Sequence, residues 1–289
     1  MSPAASPSNP VAAYRGRLAP TPTGFLHLGH AATFKTLCEK AQKAHGEVLL
    51  RIEDLDPHRC KPEFVAAAIE DLRWLGFSWT GQPVFQSTLK DSYRKAWRSL
   101  RDGGFIYPSQ HSRKDLSTLA LAPHEEEPIF PVAYRSSSIL ASCWNTPAGT
   151  NWRFRVPDGE RLGFQDGLLG LVQKTALQDF GDFLIWNRDD IPAYELAVVV
   201  DDIAMGITEV VRGMDLLVST ARQLLIYRAL GATPPAFYHC PLLVDENGQR
   251  LAKRQASLSI RALREKGWTP AQVLAEAERH ARAPLNLPA

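Results

Sequence analysis

Apolar and polar residues are arranged along the chain in patterns that predict helices and strands in turn. Residues 31–45 consist mostly of good helix formers, and Gly46 ends this stretch before the short apolar run of residues 48–52. Two further helical patterns follow, one behind Pro62 and one around Trp97. Strands that alternate with helices predict an α/β fold with a parallel sheet.

The regular pattern stops between residues 107 and 163. This segment contains six prolines, an acidic run and short polar stretches, which predict an inserted, loop-rich module. Apolar residues return at 196–200 and end in Asp201 and Asp202, which is typical of a buried parallel strand whose carboxyl end carries function. A helix is expected at 219–230.

These patterns divide the chain into five parts. A flexible N-terminal tail precedes two halves of a Rossmann-type fold, which the inserted module separates, and a small helical part follows the second half. The divisions are 1–12 for the tail, 13–106 and 176–240 for the two halves, 107–175 for the module, and 241–289 for the last part. In that last part, Thr269, Pro270 and the apolar residues Val273, Leu274 and Ala277 predict one amphipathic helix.

The composition is that of an ordinary folded protein and excludes several classes. At 289 residues, with 45% hydrophobic and 22% charged, the chain is able to bury a substantial core. The 33 Lys and Arg residues nearly balance the 31 Asp and Glu residues, so a nucleic-acid partner has to be met by a local basic face. The four cysteines form no C-x-x-C pair, which is typical of a reduced protein without a disulfide scaffold. Because neither a signal-peptide pattern nor an apolar stretch of membrane length is visible, we expect a cytoplasmic protein.

The stretch LAPTPTGFLHLGH, residues 18–30, joins the first predicted strand to the first predicted helix. Glycines and small residues at such a turn let a nucleotide approach the backbone, and the free N–H groups of a helix N-terminus attract phosphates. His27 and His30 lie on one side of the first helical turn and are able to donate hydrogen bonds to a phosphoryl group whose charge grows in the transition state. Gly29 between them leaves room for a flat base. Taken alone, the H-x-G-H pattern favours histidines that merely cap the helix.

A second basic segment lies near the C-terminus. Arg250, Lys253 and Arg254 belong to a glycine-containing loop that is able to close over a triphosphate, where an amine stabilises the leaving pyrophosphate. By itself this segment is a solvated basic turn. In this order and at this separation, however, the two segments resemble the HIGH and KMSKS regions of class I aminoacyl-tRNA synthetases.

Within that class, the resemblance is to the glutamyl-tRNA synthetases. The segments that carry it are GRLAPTPTGFLHLGHA, RIEDLDPHR, AYELAVVVDDIAMGITEVVRGMDLLVSTARQ and RLAKR, and the similarity covers residues 14–265. The short chain is similar to the truncated branch of this family, the glutamyl-Q tRNA(Asp) synthetases, because one helix behind Lys253 is too little for an anticodon-binding domain. The resemblance implies an adenylate-forming ligase.

The resemblance also implies a site for each substrate. The residues implied in catalysis are His27, His30 and Lys253. The implied ATP site consists of Pro20, Thr21, Gly24, His27, Gly29, His30, Arg250, Leu251 and Lys253. The implied glutamate site consists of Arg17, Ala19, Thr21, Glu53, Tyr194 and Arg212.

The charges of this glutamate site complement the substrate. Two guanidiniums and one carboxylate fit the two carboxylates and one ammonium of glutamate, since arginine binds carboxylates through paired hydrogen bonds. Which arginine takes the side-chain carboxylate stays open. The alternative is that Arg17, Glu53 and Arg212 only form an internal salt-bridge network.

Two departures from the family pattern change the expected chemistry. The second nucleotide motif reads RLAK at residues 250–253, so its serine hydroxyl is absent and only the second lysine is retained. The positions that hold zinc in many relatives look like Ser109, His111, Phe130 and Tyr134 here. Because one imidazole does not make a structural zinc site, we expect no zinc. The module is expected to be held by the packing of Phe130, Tyr134, Trp144 and Trp152.

The sequence therefore predicts a two-step reaction. Glutamate attacks the α-phosphate of ATP, which carries Mg²⁺, and glutamyl-adenylate and pyrophosphate form. A hydroxyl of queuosine at the wobble position of tRNA(Asp) then takes the glutamyl group and releases AMP. No side chain is an obvious base for this second step. The expected partners are L-glutamate, ATP and queuosine-bearing tRNA(Asp), and the absence of a heptad pattern favours a monomer.

Three other functions stay open at the level of the sequence. One is a glutamyl-tRNA synthetase catalytic core that lacks its anticodon-binding domain. Another is a small-metabolite nucleotidyltransferase with the same histidine loop, although that function does not explain the implied glutamate site. The third is a non-catalytic tRNA-binding module, against which the retention of His27, His30 and Lys253 speaks.

Overall fold

The computed structural model describes residues 13–111, 129–136, 143–244 and 259–281. Within these ranges the helices are α1 (Leu28–Lys43), α2 (Pro62–Trp74), α3 (Lys90–Asp102), α4 (Tyr194–Ala204), α5 (Leu217–Ala229), α6 (Ile260–Glu265) and α7 (Pro270–Ala281). The strands are β1 (Arg15–Leu18), β2 (Glu47–Ile52), β3 (Val84–Phe85), β4 (Ile106–Ser109), β5 (Asn151–Phe154), β6 (Arg161–Asp166), β7 (Gly170–Thr175), β8 (Phe183–Trp186), β9 (Glu209–Gly213) and β10 (Ala236–Cys240). None of the helices in the described ranges has the length and apolar composition of a membrane span.

The first half of the fold is a parallel β-α-β arrangement, as the sequence predicts. β1 and β3 both pair with β2 in parallel, so β2 is the middle strand of three. α1 connects β1 to β2 and begins behind its cap residue His27. The glycine at position 46 is required for the return to β2, because a Cβ atom there would lie 2.3 Å from the carbonyl oxygen of Tyr14.

The second half contains a four-stranded sheet in the order β7-β6-β10-β9. β6 and β9 both pair with β10 in parallel, and β7 adds an antiparallel strand to β6. Residues 161–166 therefore belong to the same sheet as residues 236–240, although the sequence pattern assigns them to the inserted module.

The segment expected to be loop-rich contains short strands, so that expectation is wrong in part. β4, β5 and β8 form a three-stranded antiparallel sheet. All residues of β5 are buried, and they include the polar Asn151 and Arg153. The polar and apolar residues of β5 alternate over only four positions, and Pro147, Gly149 and Pro157 stand on either side, which explains why the pattern missed this short strand.

The apolar run at residues 196–200 is a helix, and the parallel strand expected there is wrong. The run forms the middle of α4, which begins behind the extended residue Ala193. Leu196, Val198 and Val199 are each at most 1% exposed, so this helix is buried nearly all round. A fully buried helix and a buried strand present the same short apolar run, and three consecutive valines favour the strand.

The aromatic residues of the module pack as predicted, in two separate clusters. Trp144 and Trp152 belong to the larger hydrophobic core, with ring centroids 5.8 Å apart. Phe130 and Tyr134 pack instead against Tyr107. The first cluster joins the antiparallel sheet to the larger core, and the second holds residues 129–136 against β4.

The helix predicted near the C-terminus is confirmed as α7. The N–H of Gln272 donates to the hydroxyl of Thr269 at 3.3 Å, and the N–H of Thr269 donates to the side chain of Gln272 at 2.8 Å. Val273 and Ala277 are fully buried and α7 packs on α1. The C-terminal helices therefore support the element that carries the H-x-G-H pattern.

Candidate active site

A cavity of about 800 Å³ lies where β1, β2 and β9 end. The carboxyl ends of parallel strands are the usual ligand-binding edge of an open α/β sheet. The cavity wall contains all the residues implied for glutamate, namely Arg17, Ala19, Thr21, Glu53, Tyr194 and Arg212. From the residues implied for ATP, the wall contains Thr21, Gly24, His27, Gly29 and His30. One cavity thus brings together the two groups of residues.

The remaining residues implied for ATP do not line the cavity or are not described. Pro20 lies behind the wall, where its carbonyl oxygen accepts a hydrogen bond from the N–H of Glu53 at 3.0 Å. Arg250, Leu251 and Lys253 lie outside the described residues. Among the described residues on either side of this part of the chain, Leu243 and Ser259 line the cavity.

His27 and His30 are held by the start of α1. The N–H of Gly29 donates to Nδ1 of His27 at 3.1 Å, and the N–H of His27 donates to Nδ1 of His30 at 3.2 Å. An Nδ1 atom that accepts a hydrogen bond carries no proton, so the proton of each neutral ring is on Nε2. Each histidine therefore retains one N–H donor that its cap bond does not use.

Both rings are neutral near pH 7. Burial lowers the pKa of His27, although nearby Asp215 opposes the shift. Burial and the neighbouring His27 ring lower the pKa of His30 to about 3. The histidine pair is thus a source of hydrogen bonds, while the positive potential at this place comes from the N-terminus of α1.

The glycine between the two histidines is required by its surroundings. A Cβ atom at Gly29 would lie 2.9 Å from Cε1 of His27, so any side chain would displace the ring from its cap position. A Cβ atom at Gly24 would meet nothing within 4 Å. The loop therefore depends on glycine at position 29 for its packing and not at position 24.

The opposite part of the cavity wall is built on buried charges. Arg17 donates from Nε to Asp202 at 3.1 Å, and Arg51 donates from Nη1 to the same oxygen at 2.5 Å. Arg51 also donates from Nη2 to Glu53 at 3.0 Å, and the other oxygen of Glu53 accepts from the hydroxyl of Thr21 at 3.1 Å. These four charged side chains are at most 7% exposed.

The two adjacent carboxylates of α4 differ in their proton affinity. Burial favours the neutral form of Asp202, but Arg17 and Arg51 outweigh burial and lower its pKa. Asp201 accepts hydrogen bonds from Gln86 and Tyr93. Burial raises its pKa to about 6 even though Arg51 opposes the shift. Asp202 is therefore the permanent anion of this network.

Arg212 differs from the other two arginines because it has no anionic partner among the described residues. It donates from Nη2 to the hydroxyl of Thr220 at 2.6 Å, and its Nε lies 3.4 Å from Nε2 of His239. Its Nη1 is buried and has no hydrogen-bond partner within the part of the chain that the structure describes. A buried guanidinium with an unused N–H group is prepared for an external anion.

These contacts change the charge count made from the sequence. The internal salt-bridge network considered there is present for Arg17, which pairs with Asp202, and for Glu53, which pairs with Arg51. It does not extend to Arg212. Arg17 therefore has an anionic partner within the protein, whereas Arg212 has none among the described residues.

Sequence reasoning missed several residues that build the site. Arg51 stands in the RIED segment, but its role between three carboxylates comes from residues that are distant in sequence. The sequence pattern indicated Asp202 only as the end of a predicted strand and not as the partner of Arg17 and Arg51. Asp215 lines the cavity and lies three residues after Arg212. It is the one missed residue that the segment VRGMD, residues 211–215, could have indicated.

The positions compared with zinc ligands lie together but do not fit zinc. The ring of His111 stacks on that of Tyr134 at 4.1 Å, and Phe130 packs against both rings. Ser109, the last residue of β4, is buried. Among the described residues, no group of three or more His, Cys, Asp or Glu side chains is placed to hold a metal ion. An aromatic cluster occupies the place of a four-ligand site.

The family of the chain follows from its match to known proteins. Residues 13–282 match the family model for the catalytic domain of class I tRNA synthetases (E and Q). The chain therefore belongs to this family, and the resemblance carried by its motifs is confirmed. It is an enzyme of the ligase class that uses ATP, and it has the mixed α/β fold of its structural neighbours.

Particular relatives narrow the comparison. A glutamyl-Q tRNA(Asp) synthetase of Nitratidesulfovibrio vulgaris is 45% identical over 271 residues, which cover 90% of this chain and 83% of that protein. A protein of the same name from Rhodopirellula baltica is 40% identical and covers 89% and 82%. The crystal structure of a glutamate tRNA ligase from Elizabethkingia meningosepticum matches with a TM-score of 0.70 at 25% identity. That match covers 89% of this chain but 53% of the ligase, so the chain spans about half of its length.

Proposed function

We propose that this enzyme uses ATP to activate L-glutamate as glutamyl-adenylate and transfers the glutamyl group to queuosine at the wobble position of tRNA(Asp). The observation that carries the first step is a single cavity that combines neutral histidine donors at a helix N-terminus with Arg212, a buried arginine that has no anionic partner among the described residues. The names of the relatives support the acceptor.

Activation places the phosphates of ATP at the start of α1. His27 and His30 line the cavity, and the Nε2–H group of each neutral ring donates to the α-phosphate as charge builds on it. The N-terminus of α1 adds a positive potential that does not depend on pH. Lys253, which lies outside the described residues, and Mg²⁺ on ATP are proposed to stabilise the leaving pyrophosphate.

Glutamate is proposed to bind between Glu53 and Arg212. The unused Nη1 of Arg212 takes a substrate carboxylate, because this is the guanidinium that gains an anion without displacing one from the protein. Glu53 faces the substrate ammonium from the opposite part of the wall. Arg17 then acts mainly through Asp202, which it helps to hold in place.

The second step needs an acceptor hydroxyl more than it needs a catalyst. The adenylate is a mixed anhydride, so positioning a queuosine hydroxyl near its carbonyl carbon supplies much of the rate. The hydroxyl oxygen bonds to that carbon, the bond from the carbon to the phosphate oxygen breaks, AMP leaves, and the proton of the hydroxyl passes to solvent. We assign no general base to this step.

The test supplies radiolabelled glutamate and ATP with three RNAs: tRNA(Asp) with queuosine, tRNA(Asp) with guanosine at that position, and tRNA(Glu). Label is expected on the first RNA alone, and it should persist when the 3′-terminal adenosine has been removed. The His27→Asn variant serves as a control that should label poorly.

The other results distinguish the alternatives. Label on tRNA(Glu) that depends on the terminal adenosine identifies a glutamyl-tRNA synthetase core instead. Label that ignores queuosine overturns the proposed acceptor. The absence of both label and glutamate-dependent pyrophosphate exchange indicates a non-catalytic tRNA-binding protein.

A further inference from the structure

Behind Arg212 lies a chain of buried polar groups that the proposed reaction does not use directly. Asp166, Thr220 and His239 are each at most 2% exposed. They come from different elements, since Asp166 ends β6, Thr220 is on α5 and His239 is on β10. The chain of contacts runs from the carboxylate of Asp166 to the guanidinium of Arg212.

Asp166 fixes one end of this chain. One of its oxygens accepts the N–H groups of Leu168 and Leu169, both at 2.9 Å. The other accepts the N–H of His239 at 3.1 Å and lies 2.7 Å from Nδ1 of the same residue. Burial opposes ionisation, but the hydrogen bonds from His239 and from these backbone groups outweigh it and lower the pKa of Asp166.

The anionic Asp166 determines which ring nitrogen of His239 carries the proton. Nδ1 donates to the carboxylate, so Nε2 of the neutral ring is an acceptor. The hydroxyl of Thr220 lies 2.8 Å from Nε2 and 3.1 Å from the carbonyl oxygen of Leu216, one helical turn earlier, and its proton goes to the nearer acceptor, Nε2. The oxygen of that hydroxyl accepts Nη2–H of Arg212 at 2.6 Å, and every bond in the chain therefore has one donor and one acceptor.

The charges around His239 keep its ring neutral. Burial and the nearby guanidinium of Arg212 lower its pKa to about 4, against the opposing effect of Asp166 and Asp215. A second proton on the ring would remove the acceptor that Thr220 uses and would place a cation beside Arg212. The neutral ring is thus the form that fits its neighbours.

We propose that His239, held by Asp166 and acting through Thr220, is a positioning residue that aims Arg212 at the substrate carboxylate. The guanidinium has few other constraints: it lies 5.6 Å above the ring of Phe237, and its Nε is 3.4 Å from His239. Fixing Nη2 on Thr220 leaves Nη1 as the group that meets the ligand. The inference rests on the proposed function, in which Arg212 takes a carboxylate of glutamate.

The test removes the hydroxyl without changing the size of the side chain. Thr220→Val should reduce the ratio of glutamate to glutamine specificity in pyrophosphate exchange about tenfold, mainly by raising KM for glutamate, because a misplaced charged donor binds its anion less well. KM for ATP should not change. Thr220→Ser, which retains the hydroxyl, should stay close to the wild type.

Three further variants separate positioning from a general structural role. His239→Asn keeps a donor for Asp166 but lacks the acceptor at the Nε2 position, and it should resemble Thr220→Val. His239→Gln offers an oxygen at that position and should restore part of the specificity. Thr36→Val is the matched control, because Thr36 also bonds a carbonyl one helical turn earlier but is not among the residues that line the cavity. It should leave the ratio unchanged.

Two results overturn the inference. One is an unchanged glutamate-to-glutamine ratio in folded Thr220→Val and His239→Asn. The other is an equal rise of KM for glutamate and for ATP, which indicates general damage to the cavity. Calorimetric titration with glutamate and glutamine gives the same ratio without turnover. A wild type that binds glutamate but labels no tRNA(Asp) therefore contradicts the proposed acceptor and leaves this inference standing, whereas a wild type that binds neither amino acid contradicts both.

Discussion

The two parts of the cavity wall achieve electrostatic recognition by different means. On the side of α1, His27 and His30 are neutral rings whose N–H donors are oriented by cap bonds within four residues of sequence. On the other side, Arg17 and Arg51 are joined through Asp202, which is 185 and 151 residues away from them. One side is thus local and uncharged, and the other is assembled from distant residues and densely charged.

This difference matches what each side is proposed to bind. The phosphates of ATP arrive with their own metal ion and need donors that respond to charge which develops only in the transition state. A free amino acid instead carries fixed charges, which have to be recognised before any reaction. Buried ions provide such recognition, but they cost desolvation energy and therefore need internal partners such as Asp202.

The largest expected effect comes from the charged side. Arg51→Met leaves Asp202 and Glu53 buried with fewer partners, so the free energy of unfolding should fall by about 3–5 kcal/mol. Urea denaturation measures this loss. The control is Arg228→Met, which breaks an exposed pair with Glu160 and should cost at most about 1 kcal/mol. Equal losses in the two variants would mean that the buried network contributes no more than a surface pair.

A smaller effect, on the rate of adenylate formation, is expected from a substitution of His27 on the neutral side of the cavity. His27→Asn keeps a cap acceptor for the N–H of Gly29 but lacks the ring Nε2–H, so adenylate formation should slow about tenfold or more, with little change in KM for glutamate. Lys253→Ala is expected to behave in the same way. Single-turnover formation of adenylate measures the rate. If the variant keeps the wild-type rate but binds glutamate weakly, His27 acts on glutamate and not on the phosphates of ATP.

Two buried histidines, one on each side of the cavity, should make the stability of the protein depend on mild acid. His30 and His239 titrate near pH 6.5 when unfolded, but their pKa values in the folded protein are about 3 and about 4. The unfolded state therefore takes up more protons as the pH falls, and each of these histidines should lower the free energy of unfolding by about 0.7 kcal/mol between pH 7 and pH 6. Asp71 and Asp201, with pKa values raised to about 6, oppose this by about 0.3 kcal/mol each.

Urea denaturation at pH 7 and pH 6 checks this pH dependence. His30→Asn removes one of the titrating rings, so its loss of stability over that interval should be smaller than that of the wild type by about 0.7 kcal/mol. An identical loss in the two proteins would mean that His30 takes up its proton equally in both states.

The smallest expected effect is that of a zinc chelator, which should change neither the stability nor the activity of the protein. The place compared with a zinc site holds the stacked rings of His111 and Tyr134, so the purified protein should contain no stoichiometric zinc. A chelator should leave both the unfolding transition and, after Mg²⁺ is restored, the activity unchanged. One zinc per chain in elemental analysis would refute this expectation.

The same contrast explains how much of the molecule the sequence could predict. The start of α1 was predictable because a cap, a glycine and a histidine one turn later interact within a few residues. The positions lining the cavity were reached through a family resemblance. That Arg17 is paired and Arg212 is not could not be predicted, since it depends on Asp202, which belongs to a helix that the pattern of valines presented as a strand. His239 carries no local signal, because its partners are 19 and 73 residues away.

The central claim is that the two sides of one cavity have separate tasks, and pyrophosphate exchange with glutamate and glutamine tests it most directly. Arg212→Gln should lower the glutamate-to-glutamine ratio about 30-fold or more, because a buried charge contact of this kind is worth at least about 2 kcal/mol. Arg17→Gln should lower it less, and His27→Asn should reduce the rate while keeping the ratio of the wild type. If His27→Asn changes the ratio as much as Arg212→Gln does, or if both arginine variants keep it, the division of tasks is wrong.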